Sequence, residues 1–236
     1  MDDRVSLWIS ERNCVLSAPF PTLLLDLDGT LVDSVPDLAA ALNRLMAARD
    51  LAPFSAADTA RMVGDGIAAL VGRAFAARGQ AADAAAIAAY SADYGASYAV
   101  ASRLYPGVTE TLAQFDAEGW RLAVCTNKPE ATARKLLESL GIGSRFAAVG
   151  GGDSFPVRKP EPAHLLATLA AAGGTAARAV MVGDHANDLA AAHGARIPGI
   201  FAAWGYGAPE TGQAASAVAH RFAELPGLAG GLVGGR

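Results

Sequence analysis

Cysteine and long apolar runs are both scarce in this chain of 236 residues. The two cysteines, Cys14 and Cys125, lie too far apart in sequence for a disulfide framework or a zinc-binding spacing. No run free of Asp, Glu, Lys, Arg and His exceeds 13 residues, whereas a membrane-spanning helix needs roughly 20 apolar residues. These shortages predict a protein of the reducing cytoplasm that does not enter a membrane.

Charge is scarce as well. Charged residues make up 18% of the chain and hydrophobic residues 52%, a balance that excludes an intrinsically disordered protein. The net charge of −4 argues against nucleic acid as a partner, because nucleic-acid-binding domains carry a basic face. Residues 1–19 lack the apolar core of a secretory signal, so we expect a flexible N-terminal extension there. We expect the glycine-rich residues 227–236 to form a frayed tail.

Short apolar runs alternate with helical patterns along most of the chain. Alternation at this spacing predicts an α/β fold with a doubly wound, Rossmann-like parallel sheet and right-handed crossovers. The predicted strands are 22–27, 121–126, 146–150, 179–183 and 199–203, and the predicted helices between them are 108–118, 130–140, 162–172 and 186–194.

One alanine-rich region breaks this alternation directly after the first strand. It shows only helical patterns, with Ser55 and Asp83 as candidate N-caps, and therefore indicates a small inserted domain. A row of tyrosines at helical spacing in the insert is expected to pack inside it. That row consists of Tyr90, Tyr94 and Tyr98. The predicted division is an extension at 1–19, an α/β core at 20–33 and 104–236, and an all-helical cap at 34–103.

Two carboxylates, Asp26 and Asp28, stand where the first predicted strand ends and the chain turns at Gly29. In open α/β sheets, ligands bind in the crevice outside the carboxyl ends of the strands. Neighbouring carboxylates raise each other's pKa unless a cation neutralises them. Since oxygen ligands suit Mg²⁺, the pair predicts a magnesium site.

Further polar residues stand at three later points of the chain, each at the end of a predicted strand or the start of a predicted helix. Thr126 and Asn127 end one strand, and Asp184 opens the helix after another, with Asp188 one turn later. Lys159 stands just before a third helix, and lysine binds phosphate as a compact point charge. Each residue alone has an ordinary explanation as a turn, a cap or a solvated side chain. Their conjunction indicates an active site.

The motifs Asp-Leu-Asp-Gly-Thr, Thr-Asn-Lys, Lys-Pro and Gly-Asp-His-Ala-Asn-Asp, in this order, resemble the haloacid dehalogenase superfamily of phosphohydrolases. The resemblance implies that Asp26 is a nucleophile and Mg²⁺ ligand, and that Asp28 is the general acid and base. Asp28 would also bind Mg²⁺ through its backbone carbonyl. Asp184 would bind Mg²⁺ directly, and Asp188 would support the metal or steady Lys159. The dehalogenases proper differ at the position of Asp28, so an aspartate there favours phosphoryl transfer over carbon–halogen cleavage.

The resemblance also implies how phosphate and the cap act. Thr126 and Lys159 would hold the phosphoryl oxygens, helped by the backbone amides around Asn127. We expect His185 to lie at the rim of the site, because carboxylates already supply the metal ligands. An insert after the first motif resembles the small-cap branch of the superfamily. Its loop would lead into a helix N-terminus, a natural anion site that would meet the substrate's second anionic group. That loop consists of Gly64, Asp65 and Gly66.

Within this branch the sequence is similar to the phosphoglycolate phosphatases. The implied function is Mg²⁺-dependent hydrolysis of a small phosphorylated metabolite, 2-phosphoglycolate first among them, by a monomer or homodimer. Three alternatives stay open: a phosphatase for another sugar phosphate or an amino-sugar 6-phosphate, a phosphomutase like β-phosphoglucomutase, and a phosphorylatable receiver domain. Receiver domains fit poorly, because they lack a cap and do not place the phosphorylated aspartate at the first strand.

Overall fold

A parallel sheet forms the centre of the computed structural model, which describes residues 20–234. The strands in this range are β1 (Thr22–Leu25), β2 (Val32–Asp33), β3 (Arg103–Leu104), β4 (Arg121–Cys125), β5 (Phe146–Gly150), β6 (Ala179–Gly183), β7 (Gly199–Ala202) and β8 (Ala217–Ala219). Six of them lie in the order β5-β4-β1-β6-β7-β8, and each pairs with its neighbours in parallel. This order confirms the predicted doubly wound fold, whose chain reverses direction across the sheet beside β1.

Nine α-helices are present within residues 20–234. They are α1 (Val35–Ala48), α2 (Ala56–Ala60), α3 (Ile67–Ala76), α4 (Ala84–Ser97), α5 (Val108–Ala117), α6 (Glu130–Ser139), α7 (Pro162–Ala171), α8 (Ala186–Gly194) and α9 (Leu225–Gly234). Both predicted N-caps are confirmed, because Ser55 accepts a hydrogen bond from the backbone of Asp58 and Asp83 accepts one from Ala86. Neither α9 nor any other helix in this range is long and apolar enough to cross a membrane.

The side chains of β1 alternate between two apolar layers. Leu23 and Leu25 face a cluster that includes residues of α5, α6 and α9, whereas Leu24 faces α7 and α8. All four residues of β1 are buried, as a central parallel strand covered on both faces requires. The strand therefore carries the residues that follow it, 26–28, to the middle of the sheet's carboxyl edge.

Helices α1 to α4 bury an apolar cluster of their own, centred on Leu42, Phe75 and Tyr90. Tyr90 and Tyr94 lie parallel with ring centroids 6.0 Å apart. Because this cluster is separate from the layers beside the sheet, we propose residues 34–103 as the cap and the remaining described residues as the core. The extension predicted at 1–19 lies outside the described residues.

Two short strands connect the cap to the core. β2 and β3 pair antiparallel, with Asp33 opposite Arg103. The two chain segments that pass between core and cap, the cap crossings, therefore run side by side. The buried carboxylate of Asp37 accepts hydrogen bonds from the backbone N–H groups of Ala101 and Ser102, at 2.9 and 2.8 Å. It accepts a further bond from the Ser102 hydroxyl at 2.7 Å. The carboxylate of Asp37 thereby ties the start of α1 to the cap crossing that leads back into the core.

Two features of the C-terminal region differ from the sequence prediction. Residues 227–234 belong to α9 and are not a frayed tail, because Leu225 and Ala229 are buried against the sheet layer. This burial offsets the low helix propensity of the glycines, about 1 kcal/mol each. Strand β8 was not predicted either. It has three residues, and Val218 is exposed at the sheet edge, so it carries no buried apolar run.

Candidate active site

Asp26 and Asp28 lie at the carboxyl end of β1, where the sheet order reverses. The backbone N–H of Asp26 continues the ladder by donating to the carbonyl of Val182 at 2.9 Å. The chain then turns at Gly29, whose φ of +85° is unfavourable for other residues. A Cβ at Gly29 would also lie 2.3 Å from Oδ2 of Asp184. The turn therefore needs glycine in order to bring the ends of β1 and β6 together.

Lys159 is the buried cation at the centre of this edge. Its Nζ lies 2.6 Å from Oδ1 of Asp188 and 2.9 Å from Oδ1 of Asp26, and it donates to the carbonyl of Cys125 at 2.6 Å. Burial by itself lowers the pKa of Lys159, but Asp188 and Asp26 raise it well above its usual value. The amine therefore stays protonated beside the two carboxylates.

Three carboxylates and one imidazole converge close to Lys159. Ligand atoms of Asp26, Asp184, His185 and Asp188 all lie within 4.8 Å of one another. Burial, with repulsion from the neighbouring carboxylates, raises the pKa of Asp188, and the charge of Lys159 opposes this shift. One lysine and one imidazole do not balance three carboxylates, and Oδ1 of Asp26, although 2.9 Å from Nζ of Lys159, accepts no well-aligned hydrogen bond within residues 20–234. This oxygen-rich, negatively charged cluster fits a divalent cation such as Mg²⁺.

His185 pairs with one of these carboxylates. Its Nδ1 lies 3.1 Å from Oδ2 of Asp184. Burial by itself lowers the pKa of His185, but Asp184 raises it to about 9. Asp184 also accepts hydrogen bonds from the Thr30 hydroxyl at 3.0 Å and from the backbone of Tyr206 at 2.8 Å. The rim position expected for His185 stays a prediction.

The side chain of Asp28 points away from this cluster and towards the cap. Both of its carboxylate oxygens accept from Nζ of Lys128 at 3.0 Å, and Oδ1 accepts from the Ser34 hydroxyl at 2.6 Å. Sequence reasoning missed Lys128 and Ser34 as partners of Asp28. The available signal was the position of Lys128 in the Thr-Asn-Lys motif, directly after Thr126 and Asn127.

Thr126 and Asn127 lie at the end of β4, beside Asp26. The Thr126 side chain is buried, and its hydroxyl accepts from the backbone N–H of Lys128 at 3.2 Å. The Asn127 side chain donates to the carbonyls of Lys159 and Gly64, each at 3.0 Å. Its backbone N–H has no acceptor within residues 20–234. The backbone N–H of Asn127 is therefore available to donate a hydrogen bond to a phosphate oxygen.

The cap loop of Gly64, Asp65 and Gly66 closes over this edge. The carbonyl of Gly64 accepts a second hydrogen bond from the side chain of Asn187 at 2.8 Å. Gly64 has a φ of +118°, and a Cβ there would lie 2.6 Å from Cδ2 of the His185 ring, so the loop approaches closely because it has no side chain. Asp65 is paired with Arg73, and Gly66 is the N-cap of α3.

A cavity of about 40 Å³ remains between the cap and the core. Asp26, Asp28 and the 126–128 loop line its core side, whereas the cap side is mostly apolar. One of the cap residues, Tyr94, reaches the site with its hydroxyl, which accepts from Nζ of Lys128 at 2.7 Å. The tyrosine row was predicted to pack inside the cap. Tyr90 and Tyr94 do so, but Tyr94 also contacts the site.

Comparison with known proteins agrees with this geometry. The family model of haloacid dehalogenase-like hydrolases matches residues 20–196. The phosphoglycolate phosphatase of Rhodospirillum rubrum is 44% identical over 212 residues, covering 86% of this chain and 88% of the relative. That of Agrobacterium fabrum is 44% identical over 190 residues, covering 79% and 82%. The crystal structure of a predicted phosphoglycolate phosphatase from Haemophilus somnus has a TM-score of 0.81 at 31% identity, covering 90% of this chain and 99% of that one.

Proposed function

Because this chain belongs to the haloacid dehalogenase-like hydrolases and is a phosphoric monoester hydrolase, we propose that it converts 2-phosphoglycolate to glycolate and phosphate. The observation that carries the proposal is the buried carboxylate of Asp26, held 2.9 Å from Lys159 at the carboxyl edge of the sheet. A carboxylate in that position can act as the nucleophile, next to a cation that holds the oxygens of the phosphoryl group.

Asp26 and Asp28 divide the first chemical step between them. An oxygen of Asp26 attacks phosphorus while the bond from phosphorus to the ester oxygen breaks. Protonated Asp28 gives its proton to the departing oxygen, so glycolate leaves with a neutral hydroxyl. Asp26 then carries the phosphoryl group as an acyl phosphate.

The second step regenerates the enzyme. Asp28, now a carboxylate, takes a proton from water, and the water oxygen attacks phosphorus. The bond from phosphorus to Asp26 breaks, phosphate is released, and Asp28 again carries the proton with which it started. Nζ of Lys159, the Thr126 hydroxyl and the backbone amide of Asn127 hold the phosphoryl oxygens through both steps.

Mg²⁺ would be held by Asp26, Asp184 and the backbone carbonyl of Asp28, with Asp188 supporting the site from behind. It would offset the repulsion between these carboxylates and the dianionic phosphate. The support for this assignment is the acidic cluster of Asp26, Asp184 and Asp188, whose charge exceeds that of Lys159.

The choice of a small substrate is supported by the relatives. The curated relatives that share 44% identity are phosphoglycolate phosphatases. The cytoplasmic location and the choice between monomer and homodimer stay predictions from the sequence.

The test is a phosphate-release panel with Mg²⁺. It compares 2-phosphoglycolate with sugar phosphates, an amino-sugar 6-phosphate, β-glucose 1-phosphate, pyrophosphate and nucleotides. We expect the highest kcat/KM for 2-phosphoglycolate. A flat profile would overturn that substrate. Isomerised sugar phosphate without phosphate release would identify a phosphomutase, and a long-lived phosphoprotein with slow turnover would favour a receiver.

A further inference from the structure

Tyr94 is the polar side chain that the cap presents to the cavity. The other cap residues that line it, within residues 20–234, are glycines or have aliphatic side chains. They are Leu38, Val63, Gly64, Gly66, Ile67 and Leu70. A substrate enclosed between cap and core therefore meets one polar side chain on the cap side.

The Tyr94 hydroxyl keeps its own proton available. Its oxygen accepts a hydrogen bond from Nζ of Lys128 at 2.7 Å, but the hydroxyl donates to no acceptor within residues 20–234. Burial raises the pKa of Tyr94, so the group is protonated at neutral pH. A buried donor without an acceptor is unfavourable, and this one adjoins the cavity.

Lys128 makes that donor stronger. Its side chain is 3% exposed, and its Nζ holds Asp28 as well as the Tyr94 hydroxyl. Hydrogen bonds in a chain polarise one another where the dielectric constant is low. An anion that accepts from Tyr94 would therefore also lie near the buried positive charge of Lys128, on the side of the site occupied by the leaving group.

We propose that Tyr94 and Lys128 together recognise a carboxylate carried by the leaving alcohol, and so determine the specificity of the proposed phosphatase. This inference rests on the proposed function. In this inference, a tyrosine hydroxyl of the cap and a lysine of the core bind the substrate's second negative charge. Arg73, which follows the cap loop on α3, is engaged elsewhere, because it is paired with Asp65 and donates to the carbonyl of Met62 at 2.9 Å.

The test compares two substrates of equal carbon number, 2-phosphoglycolate and ethyl phosphate, which differ by the carboxylate. The measured quantity is the ratio of their kcat/KM values in the wild type and in Tyr94→Phe. We expect the variant to lower this ratio about tenfold or more, chiefly by raising KM for 2-phosphoglycolate. We expect kcat for ethyl phosphate to change less than about twofold.

Tyr90→Phe is the matched control, because Tyr90 lies on the same helix face but does not line the cavity, and its hydroxyl donates to the backbone carbonyl of Leu38 at 3.3 Å. The control should keep the wild-type ratio. Lys128→Gln is a second variant; it should lower the ratio too, although kcat for both substrates falls because Asp28 loses its partner.

The outcomes separate this inference from the proposed function. If the wild type prefers 2-phosphoglycolate and both variants keep that preference, the specificity role is wrong and the proposed function stands. Equal losses on both substrates in Tyr94→Phe would equally contradict it, since they indicate a role in positioning. If the wild type shows no preference for 2-phosphoglycolate, both proposals fail.

Discussion

Lys159 donates a hydrogen bond to Asp188 at 2.6 Å, and neither side chain is exposed to solvent. Lys159 also faces Asp26, so one ammonium group supports both the proposed nucleophile and the carboxylate of Asp188. Removing one partner of a buried ion pair is unfavourable, because the remaining charge is left without compensation. The same lysine should therefore contribute to both stability and turnover.

Lys159→Met should lower the free energy of unfolding by about 3–5 kcal/mol in metal-free buffer, measured by urea denaturation. It should also reduce kcat/KM by at least about 10²-fold, since the phosphoryl oxygens lose their cation. Lys135→Met is the matched control, because Lys135 is exposed on α6 and should change stability by less than about 0.5 kcal/mol. Equal stability of the two variants would refute the role of the buried pair.

Asp26→Asn should lower turnover by at least about 10⁴-fold while the protein stays folded, because an amide does not act as the nucleophile. Wild-type protein quenched during turnover should carry a phosphoryl group on the peptide that contains residue 26, and the variant should carry none. Asp50→Asn, an exposed change of the same chemistry, should retain full activity. Substantial turnover by Asp26→Asn would disprove the nucleophile assignment.

Asp28→Asn should reduce turnover of 2-phosphoglycolate by about 10²–10⁴-fold, the range typical of a general acid and base. The defect should differ between substrates. With p-nitrophenyl phosphate, whose leaving group needs no proton, the variant should release a burst of nitrophenolate and then stall as the phosphoenzyme. A steady rate without a burst would argue against Asp28 as the base of the second step.

Mg²⁺ should bind at the acidic cluster and be required for activity. We expect EDTA to abolish phosphate release and added Mg²⁺ to restore it. Without substrate, Mg²⁺ should raise the Tm of the wild type, because ligands that bind the native state stabilise it. Asp184→Asn should lose most of that increase, whereas Asp65→Asn, which alters a carboxylate of the cap loop, should keep it. An identical increase in Asp184→Asn would place the metal elsewhere.

The parts of the fold that the sequence predicted are those set by local patterns. The buried run of β1 and the turn at Gly29 are visible in a dozen residues, and parallel strands carry their C-terminal residues to one edge. The pairing of Lys128 with Asp28 joins residues 100 positions apart and depends on β4 lying next to β1. No pattern around either residue specifies that neighbour.

The contact of Tyr94 with the site is a harder case. Helical spacing places Tyr90 and Tyr94 on one face, which correctly predicts that both pack inside the cap. Whether a hydroxyl on that face reaches the core depends on how the cap sits over the sheet, and hence on contacts such as Gly64 with Asn187. Short elements such as β8 were missed because three residues carry too little periodicity.

Asp37 should hold the two cap crossings together. It is 4% exposed and accepts from the backbone N–H groups of Ala101 and Ser102. Asp37→Ala leaves these donors without their partner, so the free energy of unfolding should fall by about 2–3 kcal/mol. Hydrogen exchange at residues 101–104 should accelerate, because this carboxylate protects them. Asp116→Ala, whose pairing with Arg145 is partly exposed to solvent, should change stability by less than about 1 kcal/mol. Unchanged exchange in Asp37→Ala would mean that β2 and β3 alone hold the crossings.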